Sequence, residues 1–307
     1  MRVSKVWQQL LQQEDLNFLL TNRIPRLAAT RFMGWFSQIR HPLVVRLSIA
    51  VWKLFSDLDL SDSKVKTFRS LQECFTRELA PGARPIDSKE EWMTSPCDAI
   101  VGASGTVHQG QVFQAKGFPY SVGELFGRPE DVSPYEGGTF VTLRLTSAMY
   151  HRFHAPYDVI VRHATFHSGD TWNVNPIALK RVERLFCKNE RAVIHLTTNQ
   201  GLPVALVPVA AILVASLRLH FLDDLLHNAY QGPTEIPCAA AFQKGQEMGW
   251  FQHGSTIIVF LPPGVCLHPS VVEGSRIRMG EPLARLASPI RSAPTEPQTA
   301  SPRQLLG

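Results

Sequence analysis

The sequence predicts an α+β protein: an N-terminal helical region followed by a mainly β domain. Three observations carry this. Residues 1–60 set apolar side chains at helical spacing. From about residue 96, short runs of Val, Ile, Thr and Phe alternate with Gly and Pro turns, the pattern of strands. A chain of 307 residues, 44% apolar and 19% charged, can bury a proper core, which excludes global disorder.

Residues 1–60 read as helices. Phe32, Trp35, Phe36 and Ile39 are expected on one face. From Leu16 to Ser56 there are six basic residues (Arg23, Arg26, Arg31, Arg40, Arg46 and Lys53) and no acidic one. Phe18, Phe32, Trp35, Phe36, Trp52 and Phe55 are interleaved with them. Basic helices with aromatic faces suit the headgroup layer of an anionic membrane. A helical cap on the core, its arginines solvated, is the other reading. Both hold if one face meets the core and another meets lipid.

Residues 61–95 read as a connector. Leu71 to Ala80 is expected to be helical and to stop at Pro81-Gly82. Residues 96–287 read as the β-rich domain. Its expected strands include Gly138–Leu145, Arg191–Thr198, Leu206–Leu219 and Ser255–Leu261. The apolar run Val204–Leu222 contains Pro208, Arg218 and His220, so buried strands fit it better than a membrane span. Residues 288–307 hold four prolines among Ser, Thr and Gln, the composition of a disordered tail.

The formal charge of +5 favours anionic partners without choosing among them. The five cysteines are scattered, with no CxxC pair, and read as reduced thiols. Gln8, Gln9, Gln12, Gln13, Glu14 and Asp15 break up any secretory h-region, and no acid-poor leader is expected.

Three short segments carry chemistry. In Lys244-Gly-Gln-Glu-Met-Gly-Trp-Phe-Gln-His-Gly-Ser-Thr256, glycines precede a Ser that opens a β run. A turn between strands is the bland reading of Gly254-Ser255. The chemical reading is attack by the Ser255 hydroxyl on the Gly254 carbonyl, where glycine offers no side chain to obstruct it. Ester formation and elimination would then break the chain and leave a pyruvoyl group. Serine is a weak nucleophile and needs a base for this. Tyr150-His151-Arg152-Phe153-His154-Ala155-Pro156 offers two imidazoles, sharing a helical face or splayed in a loop. A satisfied structural pair, or a metal pair with Asp158, are the competing readings. Asp98, in Ser95-Pro-Cys-Asp98, is by itself a turn or cap residue. His163 and His167 read as strand or loop residues before the Gly169-Asp170 turn, and no metal site is expected.

Together these segments resemble the phosphatidylserine decarboxylases of prokaryotic type. The Lys-Gly-x-Glu-x-Gly-x-Phe-x-x-Gly-Ser-Thr string is similar to the family's self-processing site. The Tyr-His-Arg-x-His-x-Pro string is similar to its histidine motif, and Pro-x-Asp98 to its acidic segment. Phe75–Ile86, Val174-Asn175-Pro176 and Asn189-Glu190-Arg191 add to the match, which runs from about residue 65 to 285. The resemblance implies that Asp98, His154 and Ser255 form a triad that cleaves Gly254–Ser255. It implies a β chain 1–254 and an α chain 255–307 that starts with a pyruvoyl group, the covalent cofactor made from Ser255. The ketone of that group would condense with the amine of phosphatidylserine and accept electrons as carbon dioxide leaves, yielding phosphatidylethanolamine. His151 or His154 would hold the carboxylate or return the proton. The implied partners are phosphatidylserine and an anionic membrane met by the N-terminal helices. The implied location is the cytoplasmic face of the inner membrane, with no nucleic acid partner and with homo-oligomers open.

The chain departs from the family at Ala99, Ala210 and Ala215, where Gly is usual, and at His253, where Leu is common. The rivals are a serine hydrolase using the same triad, although no Gly-x-Ser-x-Gly elbow surrounds Ser255, an inactive membrane-binding homologue, and a soluble pyruvoyl decarboxylase of an amino acid.

Overall fold

The computed structural model describes Asp15, Phe18, Asn22 and residues 25–115, 118–212, 216–227, 230–252 and 255–286. His253, Gly254, Ala215, the tail 288–307 and most of residues 1–24 lie outside the described residues. In chain order the helices are α1 (Arg26–Phe36), α2 (Pro42–Phe55), α3 (Leu71–Phe75), α4 (Val122–Phe126), α5 (Pro176–Leu179) and α6 (Leu185–Lys188). The strands are β1 (Trp92–Thr94), β2 (Ala99–Thr106), β3 (Gln111–Ala115), β4 (Phe118–Ser121), β5 (Thr139–Leu145), β6 (Arg152–His154), β7 (Val159–His167), β8 (Arg191–Thr198) and β9 (Pro203–Ala210). They continue as β10 (Leu217–Leu219), β11 (Leu225–Leu226), β12 (Glu235–Phe242), β13 (Glu247–Phe251), β14 (Ser255–Leu261), β15 (Cys266–Leu267), β16 (Arg276–Ile277) and β17 (Pro282–Arg285). The protein is mainly β, as the strand-like runs predict.

An eight-stranded antiparallel sheet, ordered β12-β7-β8-β9-β14-β5-β2-β16, forms the scaffold. A four-stranded sheet, β11-β10-β13-β6, packs on one of its faces. Ile257, Val259 and Leu261 of β14 share that core with Phe153, Met248 and Phe251. The alternate residues Ile258 and Phe260 point the other way, into a second core with Leu125, Phe126, Leu185 and Phe186 of the short helices. A strand covered on both faces needs apolar residues at every position. This is why the Ile-Ile-Val-Phe-Leu run of β14 lies at the centre.

Three expectations need correction. The helix from Leu71 stops at Phe75 rather than Ala80. Ser70 caps its start through Glu73 N–H, and Thr76 Oγ1 donates to the Gln72 carbonyl at its end. The chain then extends, and Leu79 bridges to Ser63. Ile39 lies beyond α1, which closes at Ser37. The apolar run after Leu206 is divided between β9 and β10, in different sheets.

Helices α1 and α2 present a broad apolar surface to solvent. Leu43 is 69% exposed and Leu54 75%, and Phe32, Trp35, Leu47 and Phe55 are also largely exposed. The Ser37 carbonyl accepts from Gln72 N–H, tying the end of α1 to α3. No helix among the described residues is long and apolar enough to cross a membrane.

Candidate active site

Strand β13, ending at Phe251, belongs to the smaller sheet and β14, starting at Ser255, to the larger. Ser255 is the first residue of β14. Its backbone sits between Ala210 of β9 and Leu145 of β5. Ala210, one of the departures from the family pattern, is thus an immediate lateral neighbour of position 255.

His154 ends β6 and is paired with Glu247 of β13. The extended backbone of β6 settles the choice left open by the sequence: the two histidines splay rather than share a helical face. The His154 imidazole is 7% exposed. Its Nδ1 lies 2.9 Å from the Gly245 carbonyl, which can only accept, so Nδ1 carries the proton. Nε2 then holds the lone pair and accepts from the Tyr150 hydroxyl at 3.0 Å. Burial pushes the His154 pKa below its ordinary value, against smaller raising effects of the Gly245 bond, Glu247 and Asp98. The neutral imidazole is favoured as a result. Gly245 adopts φ +81°, and an added Cβ would stand 2.8 Å from Ile86. Only glycine holds its carbonyl there without strain.

Asp98 is brought near His154 by the backbone: His154 N–H donates to the Pro96 carbonyl at 2.8 Å. Its carboxylate makes no hydrogen bond to the imidazole. Arg84 grips it instead, Nε at 3.0 Å and Nη2 at 2.7 Å, and Met279 N–H donates at 2.9 Å. Arg84 also reaches Asp62 at 2.7 Å. The Asp98 hydrogen bonds raise the Arg84 pKa further. Asp98 therefore acts on His154 through space.

His151 is fully buried. Its Nδ1 lies 2.8 Å from the Met149 carbonyl and its ring 3.9 Å from the Phe75 ring. Phe75 in turn lines a cavity of about 730 Å³. One wall comes from α1 and α2, through Met33, Phe36, Leu47, Val51 and Trp52. The floor comes from the strand ends beside Ser255: Arg144 and Leu145 at the end of β5, Thr146 and Ser147 after it, and Ala211 and Ile212 after β9.

Sequence reasoning left several site groups without a role. Tyr150 and Arg84 lie inside the strings quoted for the resemblance, but their contacts cross elements that no local pattern reveals. Glu190 is 1% exposed, neither carboxyl oxygen has a hydrogen bond, and burial pushes its pKa up to about 8. Its backbone carbonyl accepts from Ala210 N–H, so it stands in the row of residues that leads across the sheet to Ser255. Outside this site, β7 places His163 opposite His195 of β8, and His167 turns to the Phe126 carbonyl. Asp131 Oδ2 lies 3.7 Å from His163 Nε2 and 3.6 Å from His195 Nε2. The two imidazoles stack 16° from parallel, and with Asp131 they group three ligand atoms within 4.8 Å of one another, an arrangement able to hold a metal ion where the sequence reading expected none.

The phosphatidylserine decarboxylase family model matches residues 71–285. The phosphatidylserine decarboxylase proenzyme of Idiomarina loihiensis is 33% identical over 87% of this chain and 92% of its own length. The proenzymes of Brevibacillus brevis and an Anaeromyxobacter species are 34% and 35% identical, each over 86% of this chain and 96% of their own. The motifs, the strand junction that carries them and these matches agree, and the chain belongs to the phosphatidylserine decarboxylase family.

Proposed function

We propose that the chain cleaves itself between Gly254 and Ser255 and then converts phosphatidylserine to phosphatidylethanolamine and carbon dioxide at the membrane surface. The observation that carries this reading is the cavity. It is apolar on the side of α1 and α2 and ends at the residues that flank Ser255 on both neighbouring strands. A lipid could lay acyl chain along the helices and bring its headgroup to residue 255.

In self-cleavage, His154 Nε2 takes the Ser255 hydroxyl proton as the oxygen adds to the Gly254 carbonyl. The hydrogen bond from Nδ1 to Gly245 fixes the tautomer this requires. The negative charge of Asp98 favours the imidazolium that forms, as the carboxylate does in serine proteases. Collapse of the adduct breaks the Gly254–Ser255 C–N bond, with the proton passing from His154 to the Ser255 nitrogen, and leaves an ester. Loss of the Ser255 α-proton to a base then expels the Gly254 carboxylate from Cβ, and water hydrolyses the new terminus with release of ammonia. The fragments stay together. The α chain 255–307 would keep β14 between β9 and β5, β16 on β2 and β17 on β1.

The pyruvoyl group, when formed, supplies an electron sink for decarboxylation. Its position fits: Ala210 on one side adds only a methyl group, and the cavity lies at the same strand ends. His151 and His154 are the groups proposed to hold the carboxylate or return a proton at the α-carbon. The exposed apolar residues of α1 and α2, with the basic residues around them, support peripheral binding to an anionic membrane. The cytoplasmic face of an inner membrane is the location this reading takes.

Intact mass of the purified protein tests the first step. Two fragments split at 254/255, the smaller lacking one ammonia relative to a serine-initiated peptide, are expected, with one uncut chain for Ser255→Ala. Release of carbon dioxide from phosphatidylserine vesicles tests the second. A single uncut wild-type chain that hydrolyses esters would replace this reading with the serine hydrolase.

A further inference from the structure

We infer that Arg144 is the anion-binding residue of the cavity and that it grips the phosphodiester of the lipid headgroup. The inference rests on the decarboxylase reading above and names the group that recognises its substrate.

Among the described residues, Arg144 is the only charged one in the cavity lining. Its guanidinium makes no hydrogen bond or ion pair among the described residues, and burial alone lowers its pKa. A half-buried, unpaired cation in an apolar wall is costly and calls for an anion. Its place is specific. Arg144 pairs with Thr256 of β14, and its neighbour Leu145 pairs with Ser255. The Arg144 backbone therefore lies one residue along β5 from the position that faces Ser255, at the strand end that the cavity reaches. Asn173 also lines the cavity, and its side-chain oxygen is occupied by Asn175 N–H at 2.8 Å. Its amide nitrogen is the group it can offer beside Arg144.

Phosphatidylserine brings two anions, a carboxylate and a phosphodiester. The carboxylate must leave as carbon dioxide, and a guanidinium holding it would stabilise the ground state against the reaction. The phosphodiester is unchanged from substrate to product, so a grip on it tightens binding without opposing chemistry. Arginine offers the planar fork that such oxygens accept.

The test uses the self-cleaved enzyme, with Arg144→Gln and Arg144→Lys. Intact mass and thermal melting establish that each variant folds and processes. For Arg144→Gln, KM for phosphatidylserine is expected to rise roughly tenfold or more, with kcat within about threefold. Arg144→Lys, which keeps the charge, should fall between it and wild type. Binding of dihexanoyl phosphatidylethanolamine, followed by tryptophan fluorescence since Trp52 lines the cavity, separates the two anions. This product keeps the phosphodiester and lacks the carboxylate, so Arg144→Gln should weaken it by the same factor. Unchanged KM would overturn the inference. So would a raised KM with unchanged product binding, which would assign Arg144 to the carboxylate. Absence of turnover by the wild type would count against the decarboxylase reading instead, while the binding arm still tests the anion site.

Discussion

The Tyr150 hydroxyl lies 3.0 Å from His154 Nε2, the nitrogen that must accept a proton if His154 activates Ser255. Burial raises the Tyr150 pKa, so the phenol stays a neutral donor. Its bond holds the ring with the lone pair on Nε2. Tyr150→Phe should therefore slow self-cleavage about tenfold without abolishing it, since one hydrogen bond to the base is lost and the Gly245 bond remains. The rate is read by gel or mass over time. Because burial lowers the His154 pKa, the wild-type rate should hold through neutral pH and fall only on acidification below the ordinary imidazole range. An unchanged Tyr150→Phe rate would leave the tyrosine a packing role only.

Arg84 and Asp98 form an ion pair in which both side chains are 10% exposed. Removing one partner strands the other charge. Arg84→Met should cost about 3 kcal/mol of stability, measured by denaturant unfolding of the Ser255→Ala precursor. Arg84→Lys should recover only part, because Lys cannot reproduce the two-nitrogen grip.

Glu190 is held neutral by burial, with its pKa up to about 8 against an unfolded value near 4.5. The folded state thus binds the proton more tightly. Its contribution to stability is fully present below about pH 4.5 and is lost as pH rises through 8. Glu190→Gln removes the titration. The variant should match wild type in acid and exceed it by a few kcal/mol above pH 8, in parallel urea melts. Equal pH slopes would mean that the carboxyl finds a partner on ionising.

The exposed face of α1 and α2 is expected to meet lipid. Leu43 and Leu54 project from it and are absent from the cavity lining. Leu43→Glu/Leu54→Glu should lose flotation with anionic vesicles yet process normally, because both residues lie outside the cavity and away from Ser255, His154 and Asp98. Retained flotation would show that these helices do not anchor the protein.

Strand β14 was legible in the sequence through its unbroken Ile-Ile-Val-Phe-Leu run, and β5 and β8 through β-branched and aromatic residues bounded by turn signals. The Gly-Ser junction and the histidine motif stood out through their resemblance to the family's strings, since on spacing alone a turn and a structural histidine pair read as well. The early end of α3 was not, since the chain after Thr76 is drawn into an extended course that bridges Leu79 to Ser63. By itself, the sequence determined the mainly β fold through local pattern, and its resemblance to the family pointed to the bond and the residues proposed for the reaction. Only the tertiary structure decided that Asp98 answers to Arg84, that Tyr150 holds His154, and that Arg144 stands alone in an apolar cavity beside Ser255. Those relations join strands and loops far apart in the chain, and register across a sheet is set by the whole core rather than by any neighbouring residue.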